Sequence, residues 1–485
     1  MTTAPTQPTV AIIGAGLGGI AMGIQLAHGG YDFTIFDPGD DFGGTWRKNT
    51  YPGAACDVPS HFYSYSFALN PRWSKTYAEQ PEILAYLDKV VVDHGLGKHL
   101  VPRTRISTLR WSDTGKRWTL ITEDGQTHEF DIAISAVGML DVPNIPDIPG
   151  ADRFRGRAFH SSTWDHTKST AGEHVASIGT GASAVQYVPE IAADTAHLTV
   201  FQRTPIWVSP RYDEPFTPEQ RDLFARDPEE ALKVRDAAYQ DYESANFAAD
   251  STMTTELTGL AYSYLMRKVE DPELRAKLTP SYPVGCKRPL QSRKWFPTFA
   301  LPNVTLETSP IVEFTEHGLR TAGGNEHRVD TVIYGTGFRA ADFLCSLDVY
   351  GRGGRRLKDD WADGAEAYLG TVVPGYPNLF TLYGPNTNGV TSIIYILEAQ
   401  AEFVRRVLDE MGRERLTAVE IKRDVHDAYN AEIQDAMAGT VWLAKCNNYF
   451  RHPNGKVVTQ FPYHGRTFVQ RLAEVQLGEF HQSPQ

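Results

Sequence analysis

Cysteine is scarce in this chain: Cys56, Cys286, Cys345 and Cys446 are the only four in 485 residues. The nearest two are 59 positions apart, which excludes a C-x-x-C metal knuckle or a local redox dithiol. Such sparse use gives no sign of a disulfide scaffold. Positive charge is also short, with 47 Lys and Arg against 59 Asp and Glu and a net charge of −12. The overall electrostatic footprint of a nucleic-acid binder is missing. Long hydrophobic runs are missing as well. The one stretch that could pass for a signal or membrane helix, residues 11–27, is broken by glycine, and MTTAPTQPTV before it holds no Lys or Arg. It is too short to span a bilayer comfortably and lacks a secretory signal's basic start. With 41% apolar and 22% charged residues, a disordered or fibrous chain is excluded. These absences predict a soluble, cytoplasmic protein of about three domains' length, without a metal-binding motif, a membrane or nucleic-acid partner, or an obligate protein partner.

What is present is a pattern that occurs twice. TVAIIGAGLGGIAMGIQLAHGG runs from a β-branched stretch through glycines into a helix-like stretch, and YDFTIFD follows as a second strand. HVASIGTGASAVQYVPEIA followed by HLTVFQRT repeats the strand, glycine turn, helix and strand. The fold class expected is α/β, with two Rossmann-like dinucleotide-binding domains. From 210 to 283 the chain turns charged and helical in pattern, without a strand-like run. The expected organisation is one nucleotide domain from 1–145 and 336–485, a second from 146–210 and 284–335, and a helical insertion or lid over 211–283. A long helix is expected near residues 392–411.

In the first turn Gly14, Gly16 and Gly19 form G-x-G-x-x-G. The first glycine permits the tight turn, the second lets backbone approach a pyrophosphate, and the third allows close helix packing, while the helix N-terminus favours the anion. Asp37 follows Gly14 by 23 residues, where an acid binds ribose hydroxyls. In the second turn Gly179, Gly181 and Ala184 form G-x-G-x-x-A, with Thr180 and Ser183 inside it. The next strand ends in Gln202, Arg203 and Thr204, with no acid. A guanidinium there pairs with a ribose 2′-phosphate in a charge-assisted way, so NADP(H) is expected over NAD(H). Two nucleotide folds imply a resident flavin and a hydride-delivering nicotinamide. That leaves flavoprotein disulfide reductases, which need a close cysteine pair beside the flavin, and flavin monooxygenases. The cysteine spacing favours the second.

Here the sequence resembles a known family. The stretch from Phe154 through Gly156 and His160 to Trp164 and Asp165 fits F-x-G-x-x-x-H-x-x-x-W-[PD], the signature of type I Baeyer–Villiger monooxygenases. Gly43-Gly44-Thr45-Trp46, Tyr51-Pro52-Gly53 and Asp57 resemble the family's flavin-adjacent stretch, and Tyr63 joins them as a candidate cofactor contact. The stretch 282–288 resembles its lysine–arginine segment. DTVIYGTGF (330–338) is similar to its second flavin-domain strand, with Gly335 where the usual residue is Ala. The segment around Trp442 resembles its C-terminal tryptophan segment. The motif GPNTNG (384–389) leans toward the acetophenone-oxidising subgroup.

The resemblance implies FAD and NADPH as cofactors and a small ketone and dioxygen as substrates. It further implies insertion of one oxygen atom beside the carbonyl, through a C(4a)-peroxyflavin, to give an ester or lactone. Arg288 would be the catalytic cation over the flavin and Asp57 its orienting acid. Lys287 would join Arg203 at the 2′-phosphate, and Trp442 would contact nicotinamide or substrate. Phe154, Gly156, His160, Trp164 and Asp165 would couple the two nucleotide domains. A heteroatom (N/S) monooxygenase and an uncoupled NADPH oxidase stay open as other readings of the same motifs.

Overall fold

The structure is a computed structural model and describes residues 7–245, 248–249, 251–389 and 391–484. Two five-stranded sheets, parallel throughout, carry it. In the first the strand order is Leu379–Thr381, Ile132–Ser135, Val10–Ile13, Phe33–Phe36, Leu100–Val101. In the second it is Val304–Glu307, His197–Phe201, His174–Ile178, Thr331–Tyr334, Arg157–His160. Val10–Ile13, Ile132–Ser135 and Thr331–Tyr334 are buried at every position. A parallel strand covered on both faces reads as a continuous apolar run rather than an alternation, as VAII, IAIS and TVIY do.

Helix Leu17–His28 leaves the first glycine turn and packs against the long helix Ile393–Glu414. The long helix buries Ile394, Leu397, Ala401, Val404 and Leu408, the i, i+3, i+4 spacing of a one-sided helix. It matches the helix expected near residues 392–411. The helical character expected between 210 and 283 is present as Pro218–Arg226, Pro228–Glu243, Thr252–Lys268 and Pro272–Leu278. Residues 246, 247 and 250 of that stretch lie outside the described residues.

Two expectations need correction. The strand in DTVIYGTGF, likened to a flavin-domain strand although the expected bounds 284–335 put it in the second nucleotide domain, lies outside the flavin-side sheet. Thr331–Tyr334 pairs on one side with Val175–Ile178 and on the other with Arg157–His160, inside the second sheet. Only the turn after it returns to the first unit, where Gly337 O accepts from Asn144 N at 2.8 Å and Arg339 N donates to Val142 O at 3.0 Å. A strand motif specifies its own extended backbone, and its neighbours are chosen by non-local pairing.

The second correction concerns cysteine. Cys286 and Cys446 form a disulfide across 160 residues, with Cα atoms 6.3 Å apart, whereas Cys56 and Cys345 are free. Spacing along the chain bears on local pairs only, and here two loops from opposite ends of the chain meet. Among the described residues no helix is long and apolar enough to cross a membrane.

Candidate active site

The glycines of both turns divide the same way. A Cβ on Gly14 would stand 2.5 Å from Ala136 O, and one on Gly19 only 1.9 Å from Gly14 O. Gly179 repeats the first case, 2.4 Å from Gly335 O. These positions are filled by the protein's own backbone. The second glycines have room: the nearest atom to a Cβ on Gly16 is 3.5 Å away and on Gly181 3.9 Å. Each open glycine precedes a helix, Leu17–His28 or Ala182–Ile191, so free N–H groups and the positive end of a helix converge there. The donor sets fit a pyrophosphate at each turn. Asp37 is oriented beside the first, Oδ2 accepting from Ala15 N and Oδ1 from Gly39 N, both at 2.7 Å. Gly44 lies against Gly16, and a Cβ on it would be 2.7 Å from the Gly16 Cα.

A cavity of about 590 Å³ opens from the first turn. Gly14, Gly16, Asp37, Gly44, Thr45, Trp46, Asp57, Tyr63, Arg288 and Trp442 line it. Trp46 Nε1 donates to Tyr63 OH at 3.0 Å, which fixes both rings behind the glycine turn. Thus the structure brings one predicted set to a single wall. Gly19 packs beneath it, where its missing Cβ lets the helix close on Gly14.

Arg288 Nη2 donates to Asp57 Oδ1 at 2.5 Å. The carboxylate's charge raises the guanidinium pKa further above its ordinary range, outweighing burial. The half-accessible side chain of Arg288 faces the cavity, so this cation is permanently charged and turned toward the cavity space. Tyr449 lines the same cavity, and the positive charge of Arg288 acts on its phenol. Burial raises the phenol pKa of Tyr449, and that of Tyr383 as well, so both hydroxyls keep their protons. Tyr383 OH donates to Asn388 Oδ1 at 2.6 Å.

The second nucleotide set stands apart from this wall. Thr180 Oγ1 donates to Thr204 O at 3.3 Å, tying the second turn to the end of the next strand. Ala184 is fully buried. Lys287 sits with Nζ 5.2 Å from the Tyr282 ring centroid. Burial lowers its pKa first, and the charge of Arg203 lowers it further. Two cations that repel one another beside a nucleotide turn suit an anion. Gln186 bridges the two units: its Oε1 accepts from Tyr51 OH at 2.9 Å and its Nε2 donates to Ala55 O at 2.9 Å. Ser183 lies in the first turn of the same helix, Ala182–Ile191.

The histidine motif runs along the edge strand Arg157–His160 of the second sheet. His160 Nε2 donates to Gly337 O at 2.9 Å, and Nδ1 pairs with Ser162 Oγ at 2.8 Å. Burial depresses its pKa; with both ring nitrogens engaged it has no free lone pair for proton abstraction. Trp164 packs on Phe159 and Tyr187, each at 5.3 Å. Asp165 pairs with Arg157 at 2.9 Å. Phe154 meets Phe314, and Gly156 leaves space for Asp330 O.

Sequence reasoning missed Tyr449, Tyr383, Tyr242 and Gln186, all on the cavity wall. For Gln186 a signal existed, a polar amide between the apolar Val185 and Tyr187 in the helix that leaves the second glycine turn. The tyrosines carry no pattern of their own among the 22 in the chain.

Two parallel sheets, each opening into a glycine turn with room for a nucleotide, and one arginine–aspartate pair on the shared cavity define a two-nucleotide flavoprotein. A family model described as flavin-binding monooxygenase-like matches residues 7–227. A Baeyer–Villiger monooxygenase of Pseudomonas aeruginosa is 40% identical, over 95% of this chain and 90% of its own length. One of Streptomyces coelicolor is 38% identical, over 97% and 92%. Among solved structures, cyclohexanone monooxygenase from Rhodococcus sp. Phi1 bound to NADP+ matches with a TM-score of 0.89 at 28% identity, over 99% of this chain and 100% of that one. OTEMO in complex with FAD and NADP matches with a TM-score of 0.89 at 27% identity and the same coverage. The chain belongs to the Baeyer–Villiger monooxygenase family.

Proposed function

We propose that the chain is an FAD-containing, NADPH-dependent Baeyer–Villiger monooxygenase, inserting one oxygen atom of dioxygen beside the carbonyl of a small ketone to give an ester or lactone. The observation that carries this reading is the Arg288–Asp57 pair on the cavity that begins at the first glycine turn. Gly14, Gly16 and Gly44 would hold the FAD pyrophosphate by close backbone approach, with Asp37 on the ribose. Gly179 and Gly181 would hold NADPH, with Arg203 and Lys287 on its 2′-phosphate. When bound, the two cofactors supply hydride and activated dioxygen.

The residues of the chain then do five things. Arg288 offers a fixed positive charge to the oxygen that becomes negative when the ketone carbonyl is attacked, without surrendering a proton. Asp57 holds that guanidinium in place. The protonated phenols of Tyr449 and Tyr383 donate hydrogen bonds along the same wall. Trp442 and Tyr242, one from the C-terminal segment and one from the helical insertion, close the cavity against water. His160, with both nitrogens engaged, positions the crossing between the sheets.

The test is NADPH consumption with cyclic, linear and aryl ketones under heavy-oxygen dioxygen, with products identified by mass spectrometry. One labelled oxygen in a new ester or lactone is the expected result. Hydrogen peroxide as the sole product across the panel, or oxygen transfer to sulfides and amines alone, would overturn the reading.

A further inference from the structure

We infer that the Cys286–Cys446 disulfide is a positioning crosslink for oxygen transfer, holding the Arg288 segment against the segment that carries Trp442 and Tyr449. The inference rests on the reading of the chain as a ketone monooxygenase.

Both partners are irregular backbone. Residues 279–289 link helix Pro272–Leu278 to strand Leu290–Gln291, and residues 437–464 contain a single short 3₁₀ turn, Val441–Leu443. Neither segment belongs to a β-sheet or a long helix, and the second is tied by isolated bridges, Ala248–Thr440, Arg451–Val457 and Asn388–Gln460. Yet each supplies part of the cavity wall: Gly285 and Arg288 from one, Trp442, Tyr449 and Phe450 from the other. A charged group that stabilises a transition state must be held to within about 0.5 Å. Arg288 lies two residues after Cys286, and Trp442 four before Cys446. The crosslink therefore acts on both functional residues through very short lengths of chain.

The seam around the sulfurs is built. Cys286 is fully buried and packs with Trp207, Ala261, Tyr282 and Val284. Asn448 Nδ2 donates to Cys286 O at 2.9 Å across the same seam, and the Arg451 guanidinium donates to Cys446 O. Neither Cys286 nor Cys446 is among the residues that line the cavity around Arg288, whereas Gly285, Trp442 and Tyr449 are, so the pair acts through position and not by exchange with the flavin. The tether also joins the unit containing the second sheet to the C-terminal part that covers the first, since Phe450 and Val457 pack in the first unit's core.

Opening and closing are ordinary thiol chemistry. A dithiol reductant breaks the S–S bond by exchange, its two thiols becoming a disulfide while Cys286 and Cys446 gain two electrons and two protons. Hydrogen peroxide closes the pair: two thiols lose two protons and two electrons, and the peroxide becomes two waters.

The experiment uses the FAD-loaded enzyme purified without reductant. Peptide mapping under non-reducing conditions should find residues 286 and 446 crosslinked, and its absence overturns the inference. Wild type before and after dithiol treatment and desalting is compared with Cys446→Ser for three quantities: ester formed per NADPH, the anaerobic rate of flavin reduction at saturating NADPH, and backbone hydrogen exchange. Opening the crosslink should lower ester per NADPH several-fold with a matching rise in peroxide, leave flavin reduction within twofold, and raise exchange in 282–289 and 439–451 together. Re-oxidation of the reduced wild type by peroxide should restore coupling and exchange, and should not rescue Cys446→Ser. Unchanged coupling, unchanged exchange, or a parallel fall in flavin reduction each overturns the positioning role. If Cys446→Ser does not fold, the reduced wild type decides. Crosslinked wild type that oxygenates no ketone overturns the functional reading, and the exchange comparison still decides the tether.

Discussion

The hydroxyl of Tyr187 stands 2.7 Å from where a Cβ on residue 335 would lie, and it pairs with Ser177 Oγ at 2.8 Å. Alanine is the residue the family motif leads one to expect at 335, and backbone conformation does not explain the change, because Gly335 is not among the positive-φ glycines. The tyrosine does. Gly335→Ala should cost about 1–3 kcal/mol of stability, the range for overpacking a full core. Tyr187→Phe should relieve most of the contact. A denaturant double-mutant cycle should therefore show the double variant more stable than the sum of the singles requires; additive costs would remove this account.

Arg288→Ala should keep anaerobic flavin reduction by NADPH and lower ester formation by about 10²–10³, the range for removing one donor that stabilises developing negative charge. Asp57→Asn should lie between this variant and wild type, because the guanidinium stays charged but loses its anchor. Stopped-flow reduction and product analysis on the same preparations separate the two steps. Ester formation that survives Arg288→Ala would sink the role given to the cation.

Arg203→Ala and Lys287→Ala should each raise KM for NADPH far more than KM for NADH, since only the former carries the 2′-phosphate. Lys287 adds a pH signature. Its pKa is lowered by burial and by Arg203, so the ammonium is lost earlier than in an ordinary lysine as pH rises. KM for NADPH should climb on the alkaline side, KM for NADH should stay level, and Lys287→Arg should flatten the climb because a guanidinium keeps its charge. Equal pH dependence for both cofactors would contradict the assignment.

Gly44→Ala should yield protein with little bound FAD. Gly44 has φ of +51° and a Cβ there would be 2.7 Å from the Gly16 Cα, so the substitution combines backbone strain with a wedge between two turns. Flavin absorbance per mole of purified protein measures it. Gly125→Ala is the control: its φ is also positive, no atom lies within 4 Å of its Cβ position, and it stands in a hairpin turn away from the cavity, so FAD content should hold.

Much of this protein was legible locally. Strand, glycine turn, helix and strand are consecutive in sequence, and steric rules within one turn decide which positions must be glycine. That is why Gly14, Gly19 and Gly179 could be read from spacing and are found filled by backbone. The acid Asp37 and the cation Arg203 follow at the length of one helix and one strand.

The rest depends on partners far apart in the chain. Cys286 meets Cys446 across 160 residues, against the expectation drawn from cysteine spacing. Thr331–Tyr334 chose the second sheet, because a buried apolar strand fits any parallel neighbour and its register is set by what it pairs with. Tyr449, Tyr383 and Tyr242 reach one cavity from separate segments, and no sequence period links them. Propensity and turn chemistry act over a few residues; the shape of a cavity, the charge around Arg288 and the meeting of two loops are set by long-range packing, which short-range patterns do not encode.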